Sequence, residues 1–334
     1  MRLLVTGGCG FIGLNLIRFL HTHAKNHVRI RVIDNLSVGK RQALERFDQV
    51  HALKGSDDFS QWSDQVQFIE GDVREPADVE QCCTGADAVI HLAASTGIIQ
   101  SIENPLEDCR NNVFGTLVLL ESCRRKKVRR FVFASSSAPL GEILPPAHEN
   151  IVPRPISPYG ASKLSGEAYC SAYRRSFGLS AMALRFSNIY GPFSWHKTSV
   201  VSQFMKHILE DAPLIVYGDG KQTRDFLFVE DLVDVLWQTL LRGSAERVTY
   251  QLGTGRETSI NELLTILSET AEAKLGRMPP IQYVEKREGE IERNFTDISL
   301  AAKELGWNPR TPVKEGIRRT FEWFLAQGRE GDET

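Results

Sequence analysis

The chain has 334 residues, 42% hydrophobic and 25% charged, with a formal net charge of -2. That balance fits a globular protein with a large core and room for two lobes, and it excludes a general attraction to nucleic acid or anionic membrane. No apolar run is long enough to span a bilayer; the opening MRLLVTGG enters a strand pattern without a charged-then-apolar leader, and a cytoplasmic location is expected.

In chain order, short apolar β-branched runs at 3–6, 30–34, 66–70, 88–91, 131–135 and 181–186 read as buried strands. Between them, 12–21, 105–125 and 158–177 read as amphipathic helices. This alternation predicts an α/β fold, a Rossmann-like doubly wound parallel sheet. Past about Ser187 the rhythm loosens into prolines, glycines and short mixed elements, which predicts a smaller mixed α/β lobe over the carboxyl edge of the sheet. The expected division is a dinucleotide-binding domain at 1–186, with later returns of the chain near 225–255, and a substrate lobe made mainly of 187–334.

The first strand ends in TGGCGFIG, with glycines at 7, 10 and 13. Gly7 permits a tight turn, Gly10 lets a pyrophosphate approach the backbone, and Gly13 lets the new helix pack closely while its free N–H groups face the phosphates. Asp34, at the end of the second strand and about 20 residues on, can accept both ribose hydroxyls of an adenosine. A carboxylate there repels a 2′-phosphate, which favours NAD over NADP, although Lys40 and Arg41 lie nearby. Further along, SPYGASKLSGE puts Tyr159 and Lys163 four residues apart on one helix face. An adjacent ammonium favours the phenolate, so the pair can move a proton at working pH. The run FASSSAPLGE adds three hydroxyls, Ser135 to Ser137, at the end of the fifth strand.

Other polar groups invite plainer readings. His21, His23 and His27 lie at a helix end without acidic partners in sequence and are read as solvated, so no metal is expected. The six cysteines lack C-x-x-C spacing and are read as reduced thiols. Ser135 is read as satisfying backbone donors, and Arg224, taken alone, as an ion-pair partner of Asp225 or Asp231.

Taken together these stretches resemble the extended short-chain dehydrogenase/reductases, specifically the NAD-dependent sugar-nucleotide epimerase/dehydratase family. The resemblance covers nearly the whole chain: besides TGGCGFIG and YGASK it includes GDV (71–73), HLAA (91–94), NNVFGT (111–116), LRFSNIYGP (184–192), GDGKQTRDFLFVEDL (218–232) and REGEIERNFTDISLAAKELGW (287–307). It implies an NAD site along Gly7, Gly10, Phe11, Ile12, Gly13, Asp34, Asn35, Gly39, Asp72, Val73, Leu92, Ala93, Ala94, Asn112, Tyr159, Lys163 and Phe186. It implies a UDP-sugar site at Thr96, Ser136, Ser137, Asn188, Ser199, Val200, Val216, Tyr217, Arg224, Arg287, Glu290 and Asn294. Within it Asn188, Arg224 and Arg287 would hold the diphosphate, Glu290 the nucleotide's ribose, and Asn294 would lie near the sugar's C2 substituent.

By the same resemblance Ser136, Tyr159 and Lys163 are the catalytic set, with Ser136 passing the proton of the sugar's 4-hydroxyl toward Tyr159. The family's 4,6-dehydratases carry an Asp-Glu pair just after this serine, and its glucuronate decarboxylases a glutamate. Here Ser137 and Ala138 stand at those places, so oxidation at C4 leads most simply to 4-epimerisation of a UDP-hexose, glucose/galactose or a uronate or N-acetyl analogue. The alternatives are UDP-glucuronate decarboxylation, a non-catalytic NAD-sensing regulator, and an NADP-dependent reductase. Leu140 departs from the tyrosine usual before the glycine. Related enzymes pair the helices 105–125 and 158–177 in a homodimer, which would place Leu106, Val113, Leu117 and Leu120 at or near an interface.

Overall fold

A computed structural model describes residues 1–242, 247–286 and 291–331. The first seven strands are β1 (Arg2–Thr6), β2 (Arg29–Asp34), β3 (Val50–Ala52), β4 (Val66–Glu70), β5 (Ala88–His91), β6 (Arg130–Ser136) and β7 (Ser180–Phe186). Beyond them come β8 (Asn188–Tyr190), β9 (Leu214–Tyr217), β10 (Thr223–Arg224) and β11 (Phe226–Phe228). The last three are β12 (Thr249–Leu252), β13 (Thr258–Ser259) and β14 (Ile281–Val284).

Eight strands form one sheet in the order β12-β7-β6-β5-β1-β2-β4-β3, and every pair in it is parallel. All six expected strands are present. The sequence reading missed β3, three residues at one edge, and β12, which joins the other edge by pairing Tyr250 with Leu184. Both are too short to show a period, and β12 is placed by a partner more than sixty residues earlier.

Alternate residues of β1 feed opposite layers, as a pleated strand requires: Leu3 and Val5 pack with the helices Phe11–His23 and Val229–Arg242, and Leu4 packs with Pro76–Cys83, Gly115–Arg125 and Pro158–Phe177. A third apolar cluster, built on Tyr190, Phe204, Leu214, Phe226, Leu263 and Phe321, holds the small lobe together. The return of the chain to the first domain is wider than expected, because Ala301, Leu305 and Trp307 also belong to the core under Phe11–His23.

From β1 the chain runs outward to β2, β3 and β4, then crosses back to place β5 on the other side of β1. The strand order therefore reverses between β1 and β5, and in open parallel sheets a ligand crevice lies outside the carboxyl ends at that point. The expected helix 105–125 is not regular. It comprises Pro105–Asp108, a wide π-type turn at Cys109–Phe114, and Gly115–Arg125. Such turns recur at functional positions, and this one carries Asn112.

Candidate active site

The glycine turn after β1 sits at the reversal point. Gly7 N donates to Ile33 O (2.9 Å) and Gly10 N to Gly7 O (3.2 Å), and the helix Phe11–His23 starts with no side-chain cap on its first amides. A Cβ on Gly13 would lie 2.5 Å from Gly7 O and 2.6 Å from Gly8 Cα, so only glycine allows this helix to seat on the turn. Asp34, at the end of β2, accepts from Cys9 N (2.9 Å) and Leu36 N (2.9 Å), which fixes its carboxylate beside the turn. Burial raises its pKa against the pull of these two amides. Gly39 packs on the backbone of Cys9.

The remaining cofactor positions follow along the same edge. Asn35 donates to Asp72 (3.0 Å), whose carboxyl is held down to about 2 chiefly by Arg74, and Val73 is half-buried beside it. After β5, Leu92 N and Ala93 N bond the carbonyl and hydroxyl of Thr6 (3.2 and 3.1 Å), leading into Ala94. Asn112 clamps this loop by accepting from Ser95 N (2.9 Å) and donating to Ser95 O (2.9 Å) and Asp108 (2.8 Å). Phe186 is buried at the end of β7. The positions fit a dinucleotide: backbone amides at a helix start for phosphates, and a carboxylate at a strand end for a ribose.

Ser157 caps the helix Pro158–Phe177 by accepting from Gly160 N (3.1 Å), which sets Tyr159 in the first turn. A Cβ on Gly160 would meet Ala138 O at 2.6 Å, so glycine brings this turn against the end of β6. There Ser136 Oγ accepts from Ala138 N (3.2 Å) and pulls the pKa of the Tyr159 phenol down. Lys163 is buried, donates to Ala134 O (2.9 Å), and lies 5.8 Å from the centre of the Tyr159 ring. Burial pulls the Lys163 ammonium down to about 8, opposed by Asp108. Burial also pushes the Tyr159 phenol up to about 12. The expected lowering of the phenol is thus absent here: burial is the largest effect and Asp108 adds to it, while Ser136 acts the other way.

Ser137 donates to Phe186 O (3.3 Å). Ser135 departs from its expected role: its hydroxyl serves no backbone donor and bonds the Glu167 carboxylate (2.5 Å). His21 likewise has an acidic neighbour that its local sequence did not show, Asp48 at 3.2 Å. Among the described residues no group of three His, Cys, Asp or Glu side chains could hold a metal, all six cysteines are free, and no helix is long and apolar enough to cross a membrane.

A cavity of about 230 Å³ opens between β8, β9, β11 and the helix Val200–Leu209. It is lined by Asn188, Ser199, Val200, Val216, Tyr217 and Arg224, six of the positions expected to meet substrate. Arg224 donates to Thr223 O (2.8 Å) and Ile291 O (2.7 Å). Neither acid of its expected ion pair is turned to it: Asp225 accepts from Thr254, Gly255 and Thr296, and Asp231 from Thr311. Thr198, Gln222 and Phe226 also line the cavity; Gln222 and Phe226 flank Arg224 at two residues on either side, a spacing that could have drawn attention to them. Thr96 accepts from Lys197 (3.1 Å). Asn294 is half-buried and outside the cavity lining, and Arg287 and Glu290 fall outside the described residues.

Residues 3–253 match the model of the NAD dependent epimerase/dehydratase family. A putative UDP-glucose 4-epimerase of Methanocaldococcus jannaschii is 34% identical over 333 residues, 98% of this chain and 99% of that one. A UDP-glucuronate 4-epimerase of Thermodesulfobacterium geofontis is 32% identical over 96% of this chain and 95% of its own. Among solved structures, a UDP-N-acetylglucosamine 4-epimerase from Methanobrevibacter ruminantium superposes with a TM-score of 0.85 at 29% identity, covering 98% of each chain. With a reversal-point glycine turn, a ribose-side carboxylate and a Ser-Tyr-Lys set on one sheet edge, and with that match across three-quarters of its length, the chain belongs to the NAD-dependent epimerase/dehydratase family.

Proposed function

We propose that the protein is a UDP-hexose 4-epimerase that holds its NAD through the turnover. The observation that carries this is the surroundings of Ser136: the end of β6 packs against the helix turn that carries Tyr159, and the two residues after the serine, Ser137 and Ala138, supply no acid for elimination or decarboxylation. The Gly7–Gly13 turn, Asp34, Asn112 and Lys163 would hold NAD, which when bound accepts a hydride and returns it. Ser136 and Tyr159 take the proton from the sugar's 4-hydroxyl, and Lys163 supplies the positive charge that makes the phenolate accessible. The sugar then turns its 4-keto carbon before the proton comes back. Asn188, Arg224, Ser199 and Val216 bind the UDP, with Arg287 and Glu290 completing the site; forked guanidinium donors suit a diphosphate.

Lys197 favours a second reading of the sugar. Its ammonium meets Thr96 and contributes to the positive field at Lys163, so a 6-carboxylate on the sugar would find a cation there. The test is purified protein with UDP-glucose, UDP-N-acetylglucosamine and UDP-glucuronate, no cofactor added, products resolved by NMR. The expected result is interconversion of at least one 4-epimer pair with NAD released only on denaturation. A strict need for continuously supplied NADPH, or carbon dioxide release from the uronate, refutes the reading. Rates on the acetylated sugar before and after Asn294→Tyr test that residue's place: a selective loss supports it.

The assembly we propose is a homodimer through the helical segments 105–125 and 158–177, with the short helix Ile98–Glu103 packed beside them. Ile99, Ile102 and Leu106 are 62%, 60% and 72% exposed, apolar surface that water does not favour. Leu120 is fully buried toward the sheet and leaves the expected interface. Light scattering at micromolar concentration is expected to give twice the mass of the chain; a monomer contradicts the proposal.

A further inference from the structure

Glu167 lies one further step along the helix face that carries Tyr159 and Lys163, at i, i+4 and i+8. Its carboxylate is buried and accepts from three donors: Ser135 Oγ (2.5 Å) and Arg185 Nε (2.8 Å) on one oxygen, Arg185 Nη2 (2.6 Å) on the other. Arg185 is equally buried on β7, in register with Ser135 of β6. Two consecutive residues of β6 thus meet two side chains of the helix face, Ala134 O accepting from Lys163 and Ser135 donating to Glu167, and Ser136, next along the strand, pulls down the pKa of the Tyr159 phenol.

A buried ion pair is weak as a source of net stability, since an apolar pair of similar volume is often as good. What this pair supplies is position. A forked guanidinium–carboxylate contact has one geometry, and here it pins the helix to two strands at the residue next to the catalytic hydroxyl. We propose that Glu167 and Arg185 are positioning residues that set the register of Ser136, Tyr159 and Lys163, and that the Glu167 charge supports the ammonium of Lys163. The inference rests on the epimerase reading for its kinetic arm only.

The charged groups facing Lys163 are Glu167 from its own helix, Asp108 from the helix Pro105–Asp108 and Lys197 from the loop after β8, while His91 on β5 is buried and neutral, held down to about 3 by burial and by Lys163 itself. Glu167 and Asp108 favour the protonated lysine, and Lys197 opposes it. In the wild type, activity is expected to fall on the alkaline side near the Lys163 midpoint of about 8. Glu167→Gln removes one supporting charge and leaves Arg185 unpaired, so the alkaline limb is expected to move to lower pH. Loss of the tether to Ser135 is expected to lower kcat by about ten- to hundredfold, as a small misplacement does, with KM for the UDP-sugar and NAD retention unchanged.

Glu167→Asp keeps the charge and shortens the reach, so it should restore the limb but not kcat. Should Glu167→Gln fail to fold, Glu167→Gln with Arg185→Met removes both charges together and is expected to fold with kcat still reduced. A wild-type kcat and pH profile in the folded variant, or a loss that only tracks the unfolded fraction with the limb unmoved, would reduce the pair to a fold brace and overturn the proposal. Carbon-13 NMR of labelled lysines, with Lys163 assigned by Lys163→Met, reads the same midpoint without turnover. An epimerase reading that failed in the wild type would therefore leave this measurement standing: a lowered midpoint in Glu167→Gln supports the charge coupling, and an unmoved one refutes it.

Discussion

Tyr159→Phe is expected to lower turnover by about 10²- to 10⁴-fold, the usual contribution of a positioned acid–base group, while NAD retention and UDP binding persist. The ring is part-buried at the helix start, and phenylalanine fills the same space; the change removes only the hydroxyl. The cavity proposed for UDP is lined by residues of β8, β9 and β11 and by Arg224, and Tyr159 is not among its lining. Burial holds the phenol near 12 in the protein alone. The role thus depends on the oxygen and not on the ring. Single-turnover conversion of a UDP-sugar, with bound NAD measured after denaturation, checks both halves. A rate within a few-fold of wild type would show that another group takes the proton.

Gly13→Ala is expected to release NAD and to destabilise the protein. The added Cβ would sit 2.5 Å from Gly7 O, 2.6 Å from Gly8 Cα and 2.7 Å from Gly8 C, all backbone atoms of the turn proposed to receive the phosphates. No flexible side chain stands there to swing aside, so the helix or the turn must move. Overpacking of this kind costs about 1–3 kcal/mol, a fall of some degrees in Tm for a chain of this size. The same movement draws the first helical amides away from the crevice between β1 and β5, where they would meet the pyrophosphate. Thermal unfolding together with the NAD released on denaturation tests it. Unchanged cofactor content would mean that the turn accommodates the methyl and that the dinucleotide is held elsewhere.

What the sequence determined by itself was everything written in short-range spacing. Glycines at 7, 10 and 13 act within one turn, Tyr159 and Lys163 share a helix face because four residues make about one turn, and the alternating strands and helices follow from apolar periodicity. The six main strands and the parallel sheet they form could be read in this way. The resemblance of the later motifs extended the reading to the positions that line the UDP cavity.

Only the tertiary structure decided which distant groups meet and which charge state burial favours. Asn188 and Arg224 share a cavity because β8 pairs with β11 in register, Phe226 opposite Asn188, and no local period encodes that pairing. Ser135 looked like a backbone cap until Glu167 and Arg185, 32 and 50 residues later, closed on it; Asn112 reaches Ser95 from a wide turn that an ideal helix would not contain. The Tyr159 phenol shows the same limit in its chemistry. Spacing brings an ammonium near and so predicts a lowered pKa, but desolvation depends on every atom packed around the ring, and in the folded protein it is the largest effect.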